Sequence, residues 1–190
     1  MFKIIHHQLP NLLPNYPTKI LLLGTFNPKC GEPVLVHYGR KRNKTWTVLS
    51  AILKENFDPK STSIHQKMKE HGIACVDIIQ SVDVPENLEQ GICGKGYSDS
   101  KLFAKSIKRN YIDINKLNDF IYKNNGICVF STWGKGSSLS KEAWDFIENI
   151  KQLHPLVSPS LAARVPKGEK KLAYMIRNWT TSINSCRQKK

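Results

Sequence analysis

Four short runs of apolar, β-prone residues, Ile20–Leu23, Ile73–Ile79, Ile127–Phe130 and Leu153–Val157, are separated by stretches whose apolar residues recur at helical spacing. Trp46, Leu49, Ile52 and Leu53 share one helical face behind Asn43, a residue type that caps helices well. Ser61–His71 reads as a second helix stopped by Gly72, and Asp113 caps a third that carries Leu117, Phe120 and Ile121 and closes at Asn125-Gly126. Ala143, Trp144, Ile147 and Ile150 form a fourth stripe, and Leu172, Met175, Ile176 and Trp179 a fifth. Parallel neighbours need long crossover connections, which helices supply. The alternation therefore predicts an α/β three-layer sandwich: a central, mostly parallel four-stranded sheet flanked by helices. Pro155 places the last strand at an edge or a terminus, because proline cannot donate to a central ladder.

The 190 residues show no internal repeat, low-complexity linker or break in composition. They read as one domain with its core at about 19–180 and a basic tail at 181–190. Asp83–Ser100 is the least regular stretch, a long functional loop or an irregular insert. No aliphatic run approaches the roughly 20 residues of a membrane helix. Met1–Pro10 lacks the apolar core of a signal peptide. The expected location is the cytoplasm, with nucleoid association in a bacterial cell. Five widely spaced cysteines without a CxxC pair (Cys30, Cys75, Cys93, Cys128 and Cys186) fit reduced thiols, with Cys75 and Cys128 as small core residues. The net charge of +14 favours a polyanionic partner, nucleic acid before an anionic membrane or an acidic protein.

Several chemistries lack their motifs. Gly94-Lys95-Gly96 and Gly134-Lys135-Gly136 do not complete a phosphate loop, and no GxGxxG is present. The histidines are scattered without HExxH spacing, and no GxSxG elbow exists. No cofactor and no metal is expected. The strand ends are more informative. They lead into Gly24-Thr25-Phe26-Asn27-Pro28, Asp77 with Gln80-Ser81, Ser131-Thr132-Trp133-Gly134-Lys135-Gly136, and Ser158-Pro159-Ser160. Parallel α/β sheets bind ligands at the carboxyl ends of their strands, so these four places point to one pocket.

Taken with His37-Tyr38-Gly39-Arg40-Lys41-Arg42-Asn43-Lys44-Thr45-Trp46, the set resembles the uracil-DNA glycosylase superfamily. It looks most like the hypoxanthine-DNA (deoxyinosine) and mismatch-specific uracil glycosylase branches. Leu21–Pro28 and Tyr38–Trp46 match the first motif and its aromatic loop. Gly72–Ile79 resembles the second strand, which presents a base-reading Asn or Asp. Phe130–Gly134 is similar to the third strand, and Leu156–Arg164 to the second motif. The likeness runs in order from about Lys19 to Trp179 and implies excision of a deaminated or mismatched base from DNA without a cofactor.

The resemblance and the chemistry together assign roles. An extruded base needs a flat wall and a reader, and Tyr38 or Phe26 offers the wall, a contact worth about 1–3 kcal/mol per base. Asp77 accepts hydrogen bonds only and so favours a base edge bearing N–H, with Ser131 also lining the pocket. The bond breaks through an oxocarbenium-like state, and a neutral amide positions water without titrating. Asn27 is the first candidate for that task and Asn43 the alternative or support, since Asn43 also suits a helix cap. Arg40, Arg42, Lys135, Ser158, Ser160 and Arg164 would grip the DNA backbone. The competing reading is a nucleic-acid-binding module of the same fold with weak or no catalysis.

Overall fold

The computed structural model describes residues 2–6, 12–29, 34–93, 99–133, 139–161 and 163–188, with 2–6 and 99–100 as backbone alone. In chain order the strands are β1 (Phe2–His6), β2 (Ile20–Gly24), β3 (Ile73–Asp77), β4 (Ile79–Pro85), β5 (Lys108–Tyr111), β6 (Cys128–Ser131) and β7 (Leu153–Pro155). The helices are α1 (Thr45–Leu53), α2 (Ile64–His71), α3 (Glu89–Cys93), α4 (Asp99–Leu102), α5 (Ile114–Lys123), α6 (Lys141–Glu148) and α7 (Lys171–Gln188).

The central sheet has the order β3-β2-β6-β7, and all its pairings are parallel. Successive side chains on a strand point to opposite faces. Ile20, Leu22, Ile73, Cys75, Cys128 and Phe130 pack with Trp46 and Leu49 of α1, Ile64 of α2, and Met175 and Trp179 of α7. Leu21, Leu23, Ala74, Val76 and Val129 pack the other way, against Leu117 and Ile121 of α5 and Ile147 of α6. Burial on both faces explains why these strands are continuous apolar runs without alternation. The result is the expected parallel α/β sandwich, with β7 at the edge. Helix boundaries follow local chemistry: Asp113 accepts from Asn115 N at 2.9 Å and Lys116 N at 3.3 Å. Gly72 ends α2 with φ 64°, a left-handed conformation suited to glycine.

The run Ile73–Ile79 is not one strand. It breaks at Ile78, and β4 enters a second, antiparallel sheet of order β1-β4-β5 that covers part of the α5–α6 layer. The expected insert at Asp83–Ser100 begins inside β4 and continues as a 3-10 turn, Glu86–Leu88, and α3; residues 94–98 lie outside the described set. Through Gln188 the basic tail is instead the last part of α7, where Ile183 and Cys186 are buried. Cys128 and Cys186 form a disulfide across 58 residues of sequence, against the expectation of reduced thiols, while Cys75 is a free, buried thiol. Among the described residues no helix is long and apolar enough to cross a membrane.

Candidate active site at the carboxyl edge of the sheet

Gly24 and Asp77 end β2 and β3 directly opposite each other. The ladder runs on past them through Ile78 N to Gly24 O at 2.9 Å and Ile79 N to Thr25 O at 3.0 Å. A Cβ on Gly24 would lie 2.1 Å from Asp77 Oδ1 and 2.8 Å from Tyr38 Oη. The missing side chain thus opens the space that the carboxylate and the phenol share. Just beyond β6, Thr132 donates from both its N and its Oγ1 to Leu23 O at 3.1 Å. Its Oγ1 lies 3.3 Å from Tyr38 Oη. Three strand ends are therefore linked around one phenol.

Tyr38 reaches that position through a strained turn. Gly39 N donates to Val36 O at 3.1 Å and Asn43 N to Arg40 O at 2.9 Å, giving two consecutive turns. Tyr38 has φ 61°. A bulky residue in this region stores about 1–3 kcal/mol and stays there only when its surroundings hold it. The buried Trp46 supplies that hold, donating from Nε1 to His37 O at 2.9 Å and packing on Phe57 with ring centroids 5.9 Å apart. His37 is buried, with Nε2 3.8 Å from Asp77 Oδ2. Burial, and to a lesser degree the neighbouring His65, pushes its pKa down to about 4. Near pH 7 the His37 imidazole is thus neutral, and the short distance to Asp77 does not make an ion pair.

The same loop is fastened to the last motif. Asn43 pairs with Ser160 in an isolated antiparallel bridge, and Lys44 N donates to Pro159 O at 2.9 Å. The N-cap of α1 is Lys44, which makes no side-chain cap bond, and not the expected Asn43; one residue earlier, Asn43 Oδ1 accepts from Thr45 N at 2.9 Å and tightens the entry to the helix. On the other side, Ser158 Oγ accepts from Ser160 N at 3.4 Å. Helix α7 steadies the segment through Asn178 Oδ1, which accepts from Val157 N at 3.1 Å, and Trp179 Nε1, which donates to Val157 O at 2.8 Å.

Asn27 follows β2, is 8% exposed, and its Nδ2 finds no hydrogen-bond partner among the described residues. Such an unmet donor costs about 1–3 kcal/mol, and an acceptor brought to it recovers that loss. Of the four residues expected at the base, Tyr38 and Asp77 come together. Phe26 is buried in the opposite-face core with Leu23 and Trp133. Alternation sets Ser131 on the face of Val129, and its Oγ donates to Trp133 O at 3.4 Å. Arg40 is half-buried and Arg42 exposed in the turn before Asn43, beside half-buried Ser158 and Ser160, while Arg164 is exposed further on. Lys135, with the rest of 134–138, lies outside the described residues, as do Gly94–Gly96.

His37 and Thr132 belong to the site but not to the set expected from sequence. Each adjoins a residue that was expected, and counting alternate positions from Phe130 singles out Thr132 over Ser131. Among the described residues no group of three or more His, Cys, Asp or Glu side chains is placed to hold a metal ion. Two surface hollows lie elsewhere: one of about 210 Å³ between β7 and α7, the other of about 270 Å³ beneath α3 and α4. Comparison with protein-family models, curated proteins and solved structures returned no match to this chain.

Proposed function

We propose that this protein is a monofunctional DNA glycosylase, of the kind found in the uracil-DNA glycosylase superfamily, that removes a deaminated or mismatched base such as uracil or hypoxanthine. The reading rests on one observation above all. The Tyr38–Trp46 loop is bonded to Pro159 and Ser160 at the sheet edge where β2 ends at Gly24 and β3 at Asp77. Those segments carry the resemblance, and their convergence supports it.

In this scheme the target nucleotide leaves the stack, at a cost of a few kcal/mol, while Arg40, Arg42, Ser158 and Ser160 hold the backbone. Tyr38 stacks on the base, and Asp77 accepts a hydrogen bond from a ring N–H. The neutral His37 adds no positive charge to neutralise that carboxylate. The departing base takes up negative charge as the sugar becomes oxocarbenium-like. Asn27 has a free donor for the attacking water, whereas Asn43 Oδ1 is engaged by Thr45 N. Asn27 is therefore the water-positioning residue and Asn43 its support.

The test is alkali-revealed strand scission on labelled oligonucleotides carrying uracil, hypoxanthine, xanthine or a thymine mismatch, in duplex and single strand. Scission by the wild type that is lost in Asn27→Ala and weakened in Asp77→Ala is the expected result. No scission on any base, with salt-sensitive DNA binding retained, would replace the enzyme with a binding module.

A further inference from the structure

The disulfide between the first residue of β6 and the last turn of α7 has two unequal sulfurs. Cys128 is 1% exposed and Cys186 7%, and both belong to the core with Ile20, Leu22 and Trp179. Cys186 lines the hollow of about 210 Å³, whose other walls are His154, Pro155, Thr181, Ser182 and Ser185. Thiol–disulfide exchange requires a thiolate to approach one sulfur along the S–S axis, so access decides which sulfur is attacked. Of the two, Cys186 alone borders the hollow.

We propose that Cys186 is a reversible S-thiolation site for small polar thiols of the amino-acid type. The incoming thiolate bonds to Cys186 Sγ, the Cys128–Cys186 bond breaks, and Cys128 leaves as a thiolate that takes up the proton released by the incoming thiol. One disulfide is exchanged for another, so no external oxidant or reductant is needed. Three hydroxyls and an imidazole line the hollow, matching the ammonium and carboxylate groups of such a thiol. The product frees α7 from its covalent tie to the sheet and leaves Cys128 as a thiol in the core.

The experiment uses the full chain purified without reductant and incubated with L-cysteine. It is then quenched with an alkylating agent in denaturant and mapped by peptide mass spectrometry. The expected result is cysteinylation at Cys186 with alkylation at Cys128, and neither before L-cysteine is added. Ser185→Leu, at an exposed helix position on the rim, narrows the hollow and slows the exchange about tenfold, access being the controlling factor. Ser182→Leu is the second variant if the first folds poorly. Cysteinylation at Cys128, alkylation of both sulfurs before L-cysteine is added, or equal rates in wild type and a folded rim variant would each overturn the proposal.

Discussion

Replacing Gly24 with alanine tests the packing of the site without touching a polar group. The new methyl would stand 2.1 Å from Asp77 Oδ1, 3.3 Å from Asp77 Cγ and 2.8 Å from Tyr38 Oη. Neither neighbour yields easily. Asp77 is 4% exposed with His37 3.8 Å behind it, and Tyr38 hangs from a turn held by Trp46. Overpacking of this kind costs about 1–3 kcal/mol. Displacing the Asp77 carboxylate by about 1 Å would also reduce base excision about a hundredfold. Urea unfolding at pH 7 on Gly24→Ala, Asp77→Ala and the double variant isolates the cause. Truncating Asp77 deletes both carboxylate contacts, so Gly24→Ala should cost at least about 1 kcal/mol less in that background, a coupling expected of touching residues. If Gly24→Ala costs the same in both backgrounds, or less than about 0.5 kcal/mol in the wild-type background, the crowding around Gly24 is not as described.

Asn27→Ala should change stability by under about 0.5 kcal/mol despite its burial, because it also removes an unmet donor, while excision falls at least about a hundredfold. Asn43→Ala should lose about 1 kcal/mol of stability with the hydrogen bond to Thr45 N, and a urea titration distinguishes the two. His37 is neutral in the folded chain down to about pH 4 but protonates near pH 6.5 once unfolded, so between these values the unfolded state holds the extra proton. Its contribution is complete above pH 6.5 and is lost as pH falls toward 4, on the order of 3 kcal/mol in all. His37→Gln should flatten the stability curve across that window, and an unchanged slope would exclude His37 as its source. DNA affinity should fall linearly in log–log against salt, and Arg42→Ala should lower the slope by about 1 when measured by fluorescence anisotropy.

What the sequence determined by itself was local or periodic. The apolar runs of β2, β3 and β6 must be buried on both faces, which selects a parallel sheet covered by helices, and Asp113 and Gly72 mark helix ends through their own backbone chemistry. A parallel sheet also gathers its strand ends on one edge, so Asp77 and the Ser158–Ser160 segment were legible as neighbours of a site. Pairing between distant segments was not. Strand β5 reads Lys-Arg-Asn-Tyr, with no apolar period to announce it, and exists because β4 offers it a partner edge. The break at Ile78, the Asn43–Ser160 bridge and the Cys128–Cys186 bond likewise arise only when the layers close. Tertiary structure also decided which face each polar residue meets. Ser131 turns to one layer and Asp77 to the other, because a one-residue step along a strand reverses the side-chain direction, whereas Phe26 lies past the end of β2, outside the pleat, and packs in the layer of Leu21 and Leu23. A motif quoted in sequence order names the residues at a strand end, but the pleat decides which of them meet across the sheet.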